Sequence, residues 1–230
     1  MHPLITYPYT EIALRFNRIL EGHWQHRARQ LRGALARLFS DDNRFHQHDD
    51  SGQVLYRYPP ILYRWSRGRA LIAGWGEAAR LLPNLPWLEL DLVLGEESVA
   101  VDDALIRCHS AIITYSPRLH PYRLSTPVLL FNQDNYPRFQ AMKTADRQQE
   151  LDRLLTAQLL IALRNLGAEI PGHLYVTFVD ARSQRCRLKQ QQLLGFSGRL
   201  VCNLTLPSGF AFGHAVSHGY GWIVPEQEIQ

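Results

Sequence analysis

The stretch "YPPILYRWSRGRALIAGWG" (58–76) has the pattern of a β-hairpin. Two runs rich in β-branched and aromatic residues flank the pair Arg67-Gly68, and a glycine at this point permits a tight turn. The segments on either side of this hairpin then indicate the fold class, because each has its own periodicity.

Upstream, "EIALRFN" (11–17) alternates apolar and polar residues as a strand does, and "GHWQHRARQLRGALARLF" (22–39) has helical spacing. The apolar positions of this helix are Trp24, Ala28, Leu31, Leu35 and Leu38. Downstream, "EAARLL" (77–82) predicts a short helix, and "LELDLVLG" (88–95) or "ALIRCHSAIITY" (104–115) supplies a closing strand. The order strand, helix, hairpin, helix, strand is that of a ferredoxin-like domain.

The second half of the chain repeats this theme. "YRLSTPVLLFN" (122–132), "HLYVTFVDA" (173–181) and "GRLVCNLTL" (198–206) are strand candidates. Between them, "DRQQELDRLLTAQLLIALRNLG" (146–167) predicts a long helix with Asp146 as its N-cap and Gly167 at its end.

The sequence therefore predicts an α+β protein of two tandem ferredoxin-like (RRM-like, βαββαβ) domains. The predicted domains are residues 1–118 and 119–230, joined near residues 115–122, and the second carries a C-terminal glycine-rich loop. A chain of 230 residues with 46% hydrophobic residues can bury a core of this size.

Composition restricts the cellular setting. No apolar run reaches the length of about 18 residues that a membrane span needs, and the N-terminus "MHPLITYPYTEI" lacks a signal-peptide pattern. The three cysteines are widely spaced and odd in number, which favours a reducing interior. We expect a cytoplasmic protein without membrane association.

The basic residues are almost all arginines, since Lys143 and Lys189 are the two lysines among 25 basic residues. Residues 1–80 carry net charge +5, residues 81–170 carry −3 and residues 171–230 carry +2. Arginine suits phosphate oxygens and stacks on bases, so two basic ends are compatible with a nucleic-acid ligand. A genome-wide preference for arginine codons would give the same composition.

The stretch "NRFHQHDD" (43–50) places two histidines one residue apart. Imidazole titrates near neutrality, so His46 and His48 can act as a general base and a general acid. His46, His48 and Asp50 also have the spacing of a binuclear zinc site, although Ser51 follows where that motif continues with histidine. A solvated loop without a role is the third reading.

The stretch "SGFAFGHAVSHGYGWI" (208–223) is rich in glycine. Glycines allow backbone amides to approach a phosphate closely, and we expect this loop to be exposed, with Phe212 and Tyr220 as base-stacking residues. No Gly-Lys-Ser/Thr follows, so nucleotide hydrolysis is not indicated. A β-hairpin with glycine turns is the alternative reading.

Several segments, in order, resemble the CRISPR repeat-RNA (pre-crRNA) processing endoribonucleases of the repeat-associated RNA-binding (RAMP) superfamily, in the branch with a His-x-His pair. The matching segments are "LRGALARLF" (31–39), "FHQH" (45–48), "YRYPPILYRW" (56–65), "STPVLLFNQDNY" (125–136), "LLGFSGRLVCNLTLP" (193–207) and "GFAFGHAVSHGYG" (209–221).

The resemblance implies cleavage of CRISPR precursor RNA within its repeats, without a metal or another cofactor. A 2′-hydroxyl attacks the adjacent phosphate and leaves a 2′,3′-cyclic phosphate and a 5′-hydroxyl. His46 and His48 match the catalytic histidines of the branch, and Tyr56, with Tyr58 as the alternative, matches a helper tyrosine. These enzymes often place a lysine near the histidines; here an arginine would have to replace it.

The candidate RNA-binding residues are arginines near the histidines and residues of the glycine-rich loop. They are Arg32, Arg37, Arg44, Gly213, His214, Ser217, Gly219, Tyr220 and Gly221. The expected partner is CRISPR repeat RNA, both precursor and mature crRNA; subunits of a CRISPR effector complex and a second copy of the chain are further candidates. The alternative functions are a non-catalytic RNA-binding subunit and a metal-dependent phosphohydrolase.

Overall fold

The structure is a computed structural model that describes residues 2–45, 58–188 and 190–226. The described helices are α1 (Trp24–Leu38), α2 (Glu77–Leu81), α3 (Asn135–Ala141) and α4 (Thr144–Asn165). The described strands are β1 (His2–Phe16), β2 (Ile61–Ser66), β3 (Arg69–Trp75), β4 (Asp91–Leu94), β5 (Glu97–Leu124), β6 (Val128–Leu129), β7 (Val176–Leu188), β8 (Gln191–Thr205) and β9 (Ile223–Pro225). Among the described helices, none has the length and hydropathy of a membrane span.

The chain divides into two compact units. The first unit consists of Tyr7–Ala111 and Ser217–Gly219, and the second consists of Met1–Thr6, Ile112–Val216 and Tyr220–Gln230. Each unit combines an antiparallel sheet with helices, so the predicted α+β class is confirmed.

The predicted hairpin is confirmed in the first unit. β2 and β3 pair from Ile61 opposite Gly74 to Ser66 opposite Arg69. Arg67 and Gly68 between them both have positive φ, 51° and 75°, the combination of a type I′ hairpin turn. This turn matches the right-handed twist of the strands, so a local signal was sufficient to predict it.

The core of the first unit lies between α1 and this sheet. Leu31 and Leu35 of α1 are fully buried, as are Ile12 and Leu14 of β1 and Ile72 of β3. The strand order is β2-β3-β1-β5, and β4 pairs with β5. Both candidate closing strands therefore exist, and β5 continues through residues 115–122, where the joint between domains was expected.

The sheet of the second unit is built around β8. This strand pairs with β5, β6 and β7, and its hairpin with β7 runs from Val176 opposite Cys202 to Leu188 opposite Gln191. α4 packs on β7 and buries Leu155, Leu159 and Leu163.

The ends of α4 confirm one predicted cap and correct the other. Gly167 follows the C-cap Leu166 with φ +78°, the left-handed conformation that glycine adopts at low cost. Asp146, however, is not the N-cap, because the helix begins at Thr144 and Lys143 takes the capping position. Asp146 lies in the first turn instead, where a carboxylate stabilises the positive end of the helix dipole.

α3 was not predicted from the sequence. Its start is fixed by Asn132, whose Oδ1 accepts hydrogen bonds from the backbone amides of Asp134 (3.1 Å) and Asn135 (2.8 Å). A seven-residue helix that contains Pro137 is too short for a clear helical period.

Candidate functional site

The segment with the predicted catalytic residues lies outside the described residues, and this applies to His46, His48 and Tyr56 alike. The residues next to the segment are described at both ends, by Phe45 and Tyr58, and both belong to the first unit.

Phe45 is held firmly at the upstream end. Its ring is buried and stacks on Phe39 just after α1, with 4.6 Å between ring centroids. The Tyr63 hydroxyl of β2 donates a hydrogen bond to the Phe45 carbonyl oxygen at 3.3 Å. At the downstream end, Tyr58 packs edge-on against Trp75 of β3, with 6.2 Å between centroids.

Arg32 of α1 lies beside Tyr63. Burial raises the pKa of Tyr63, and the positive charge of Arg32 partly offsets that rise, so the phenol is a neutral donor near neutral pH. Burial also lowers the pKa of Arg32, and its electrostatic interaction with Tyr63 acts in the opposite direction. A guanidinium remains charged in proteins, so a half-buried cation interacts with Tyr63, whose hydroxyl binds the residue that directly precedes His46.

Of the other two predicted arginines, Arg44 is paired with a carboxylate and Arg37 is exposed. Arg44 is bound by Asp42, whose Oδ1 accepts from Nε at 2.8 Å and whose Oδ2 accepts from Nη2 at 2.5 Å. This hydrogen-bonded pair raises the pKa of Arg44 and offsets its charge locally. Arg37 is exposed, and its Nη2 donates to the Val93 carbonyl oxygen at 2.9 Å.

Arg27 has a structural role that the sequence did not indicate. Its side chain is buried, forms an ion pair with Glu97 and donates to the carbonyl oxygen of Glu21 and to Gln30. At about 100° per residue, Arg32 lies about 140° around the helix axis from both Arg27 and Arg37, which are about 80° apart. The arginines of α1 therefore do not share one basic face.

The glycine-rich loop is buried, so its predicted exposure is wrong. Phe212 and Tyr220 are each 1% exposed, and the Tyr220 hydroxyl donates to the Arg187 carbonyl oxygen at 2.9 Å. In this position Tyr220 cannot stack on a base. The loop folds back on itself, since Phe212 N donates to Gly221 O at 3.1 Å and Ala211 bridges to Trp222.

Two of the loop glycines are explained by packing in the second unit. At Gly221 (φ +70°), a Cβ atom would lie 1.9 Å from the Phe212 carbonyl oxygen. At Gly213 (φ +97°), it would lie 2.7 Å from Val128 Cγ2 and 2.9 Å from the Leu129 carbonyl oxygen. Their backbone conformation therefore serves the fold, whether or not RNA is bound.

His214 is a half-buried imidazole of this loop. Its Nε2 lies 3.3 Å from Gln158 Nε2 on α4, and burial lowers the pKa of His214. The ring is therefore neutral at neutral pH and offers a hydrogen bond rather than a charge.

Ser217–Gly219 belong to the first unit and reach the residues around Tyr63. A Cβ atom at Gly219 (φ +90°) would lie 3.0 Å from the Tyr63 carbonyl oxygen and 3.2 Å from Ala28 Cβ, one helical turn before Arg32. Ser217, two residues earlier in the chain, is also buried. Tyr63 thus has Gly219 against its backbone, interacts with Arg32 and binds Phe45, the described residue at the start of the histidine segment.

The β7–β8 hairpin carries a basic surface that was not predicted from the sequence. Arg182, Arg185 and Arg187 are exposed on β7. Residues 181–225 contain five basic residues and no aspartate or glutamate. That acid-free run was a usable signal, but net charge summed over larger blocks concealed it.

In the described ranges, no three His, Cys, Asp or Glu side chains gather into a group that could hold a metal ion. The stretch that suggested a zinc site, from His46 to Asp50, lies outside those ranges.

Comparison with solved structures shows the fold of the whole chain. A "Crystal structure of Cas6b" is 23% identical, with a TM-score of 0.86, and covers 96% of this chain and 100% of that one. A "Crystal structure of CRISPR RNA processing endoribonuclease Cas6b" is 21% identical, with a TM-score of 0.76 and the same coverage. The "Cas6 (TTHA0078) product complex" is 19% identical, with a TM-score of 0.56, and covers 97% of this chain and 100% of that one. The tandem ferredoxin-like fold is confirmed.

Sequence comparison gives a consistent result. The uncharacterized protein MJ0978 of Methanocaldococcus jannaschii is 21% identical over 107 residues, which cover 46% of this chain and 73% of that protein. The model of the Cas6b N-terminal domain matches residues 8–111, and that of the Cas6b C-terminal domain matches residues 114–226. Since these two matches together span nearly the whole sequence, the chain belongs to the Cas6b family of CRISPR RNA-processing proteins.

Proposed function

We propose that this chain is a metal-independent endoribonuclease that cleaves CRISPR precursor RNA within its repeats. One histidine of the pair His46 and His48 takes the proton from the 2′-hydroxyl beside the scissile phosphate. The 2′-oxygen attacks phosphorus, the bond to the 5′-oxygen breaks, and the other histidine protonates that oxygen. The products carry a 2′,3′-cyclic phosphate and a 5′-hydroxyl. The likeness to a CRISPR RNA processing endoribonuclease and to a Cas6 product complex supports this proposal.

The observation that carries the proposal is the position of Arg32. Its guanidinium lies beside Tyr63, and Tyr63 is hydrogen-bonded to Phe45, the residue before His46. A preorganised cation in a partly buried place stabilises the charge that builds up on phosphorus during the attack. We therefore assign to Arg32 the role that a lysine has in many enzymes of this branch. Tyr56 remains the proposed helper tyrosine.

Repeat RNA is held, in this proposal, by residues around the site and by the basic hairpin. Arg37 is exposed on α1, and Gly219 lies against α1 and β2. Arg182 and Arg185 stand exposed on β7, and residues 181–225 hold five basic residues without an acidic one. Arginine forks of this kind bind phosphate oxygens in pairs. Arg44 contributes less, because Asp42 already occupies its guanidinium.

The decisive experiment is cleavage of a CRISPR repeat RNA from the source genome with a chelator present throughout. A parallel substrate carries one 2′-deoxy sugar at the scissile position. We expect cutting in the chelator, no cutting of the deoxy substrate, and a cyclic phosphate on the 5′ product. We expect His46→Ala and His48→Ala each to slow cleavage by about 10²–10⁴-fold.

Two results would contradict this mechanism. Cutting that requires added metal, or cutting of the deoxy substrate, would revive the metal site at His46, His48 and Asp50. Tight binding of repeat RNA without cutting would instead identify a non-catalytic RNA-binding subunit.

A further inference from the structure

A groove opens on the sheet of the second unit. It has a volume of about 360 Å³, and its walls come from β5 and from the start of β7, with β8 as the floor. This volume lies in the range of about 300–1,000 Å³ that is typical of pockets for small ligands. The floor residues are Val201 and Asn203.

The first wall is a large bulge in β5. Tyr115 pairs with Leu204 and His120 with Cys202, so β5 passes through residues 116–119 while β8 passes through Asn203 alone. The buried Ser116 holds the bulge, since its Oγ accepts a hydrogen bond from the Arg118 amide at 3.1 Å. Bulges of this kind redirect side chains and often lie beside functional sites.

The second wall is tied to the floor by a network of hydrogen bonds. The buried Asn203 accepts a bond from the Tyr175 amide (2.8 Å) and donates one to the His173 carbonyl oxygen (2.9 Å). The Tyr115 hydroxyl also donates to His173 O, at 3.3 Å. Gly172 makes room for this contact, because a Cβ atom there would lie 2.8 Å from that hydroxyl oxygen.

Because these polar groups are hydrogen-bonded to one another, the surfaces that the groove exposes are mainly apolar and aromatic. Tyr175 is 59% exposed and Leu119 is 53% exposed, although each is a large hydrophobic side chain. The Tyr175 ring is supported edge-on by His173, with 4.5 Å between centroids. Because the polar atoms of Asn203 are already bonded, the floor offers little for recognising a hydrogen-bonding edge. We therefore expect the groove to hold a flat ring by stacking, rather than to recognise a group through hydrogen bonds to its edge.

The charges beside the groove are mainly basic. Arg118 is exposed on the bulge, and Arg123 lies directly opposite Arg199, two residue pairs along the strands from Pro121 and Val201. Like charges directly opposite each other destabilise a sheet unless an anion lies between or near them. Asp180 forms an ion pair with Arg199, and the negative charge of Glu226 also interacts electrostatically with Arg199.

Among the described residues, no carboxylate forms an ion pair with Arg118 or Arg123. Asp152 behind the second wall is also engaged, since its oxygens accept from the Thr177 hydroxyl and the Phe178 amide. The groove thus pairs a stacking surface with two available cations. Aromatic rings beside arginines are the usual features of single-stranded nucleic-acid sites.

We propose that this groove binds an unpaired nucleotide of the RNA, at a second contact separate from the cleavage site. The base stacks on Tyr175 against Leu119, and the adjoining phosphates contact Arg118 and Arg123. Because stacking does not distinguish bases strongly, this contact adds affinity with little sequence preference. The inference rests on the proposed function only in that the ligand is RNA.

The test is the affinity of Tyr175→Ala for repeat RNA and for a uridine homopolymer, measured by fluorescence anisotropy. Loss of one stacked base corresponds to about 1–3 kcal/mol, so we expect affinity for both RNAs to fall about 5- to 150-fold. Tyr175→Phe should bind as the parent does. Ile161→Ala is the matched control, because Ile161 is a 51% exposed hydrophobic residue of α4 that does not line the groove.

Two further measurements separate this inference from the proposed catalysis. The single-turnover cleavage rate of Tyr175→Ala at saturating RNA should equal that of the parent. 5-Iodouridine placed in the RNA should crosslink to Tyr175. If Tyr175→Ala binds RNA as Ile161→Ala does, the inference is overturned and the proposed nuclease activity is unaffected.

The remaining outcomes are equally informative. A change in self-association, with unchanged RNA affinity, would make the groove a contact between copies of the chain and overturn the inference. A parent protein that binds RNA through Tyr175 but does not cut would support the inference and contradict the proposed nuclease. A parent protein without affinity for RNA would contradict both.

Discussion

Arg32 and Arg27 lie on the same helix, but their surroundings give them different roles. Arg27 is paired with Glu97 and holds the start of α1 in place. Arg32 is half-buried beside Tyr63, close to the start of the histidine segment. The sequence identified both as basic residues, but it could not separate them, because the partners that decide their roles come from distant positions in the chain.

The first prediction concerns Arg32. Arg32→Gln should slow single-turnover cleavage of repeat RNA at saturating concentration by about 10²-fold or more, because it removes the charge that we propose to stabilise the scissile phosphate. Arg32→Lys should retain part of the rate, since it keeps the charge but lacks the planar fork. The measurement is the cleavage rate, together with the midpoint of thermal unfolding to verify the fold.

Arg37→Gln is the control for this prediction, because Arg37 is an exposed arginine of the same helix. We expect it to change affinity more than rate. An Arg32→Gln protein that is folded and cuts at the parent rate would remove Arg32 from the proposed mechanism.

At the scale of elements, local patterns were predicted well and burial of the glycine-rich loop was not. The β2–β3 hairpin depends on a period of two and on the turn at Arg67 and Gly68, all within one short stretch of sequence. The loop is covered by Pro127, which accepts from Gly221 N at 2.8 Å, and by Leu129, which accepts from His214 N at 2.9 Å. Such partners are far away in sequence, so a glycine-rich run alone suggested exposure.

Two glycines, Gly221 of the loop and Gly33 of α1, lead to opposite predictions for stability. Gly221→Ala should destabilise the protein by at least about 1–2 kcal/mol, because φ is +70° and the new Cβ would meet the Phe212 carbonyl oxygen. Gly33→Ala should instead stabilise it by about 0.5–1 kcal/mol, since Gly33 lies inside α1 and its nearest neighbour would be Arg37 Nη1 at 3.6 Å.

Urea unfolding followed by circular dichroism measures both changes on the same scale. The two alanines differ only in backbone conformation and in the space around them. A Gly221→Ala protein as stable as the parent would contradict the packing role assigned to this glycine.

At the scale of the whole molecule, charge is distributed unevenly along the chain. Residues 81–170 carry net charge −3, whereas residues 181–225 hold five basic residues without an acidic one. The sequence alone gives these net charges, but the structure was needed to show that Arg182 and Arg185 stand exposed on one hairpin. The histidine pair, by contrast, was found from sequence alone and lies outside the described residues.

This distribution predicts a salt-dependent affinity for RNA. The logarithm of the binding constant should fall linearly with the logarithm of salt concentration, and the double variant Arg182→Gln/Arg185→Gln should lower the slope by about 0.7 for each phosphate that an arginine no longer neutralises. Arg153→Gln is the control, because Arg153 is exposed on α4 and paired with Glu150. An unchanged slope in the double variant would exclude the hairpin from RNA binding.

The membership of Ser217–Gly219 in the first unit has a consequence for biosynthesis. A ribosome makes the rest of that unit, including α1 and the histidine segment, before it makes residues 112–216 of the second unit. At about 5–20 residues per second, Gly219 follows several seconds later and only then rests on Tyr63 and Ala28. A nascent chain that ends at Ala111 would therefore lack the Gly219 contact beside the proposed cleavage site, and that site would be complete only after most of the second unit has been made.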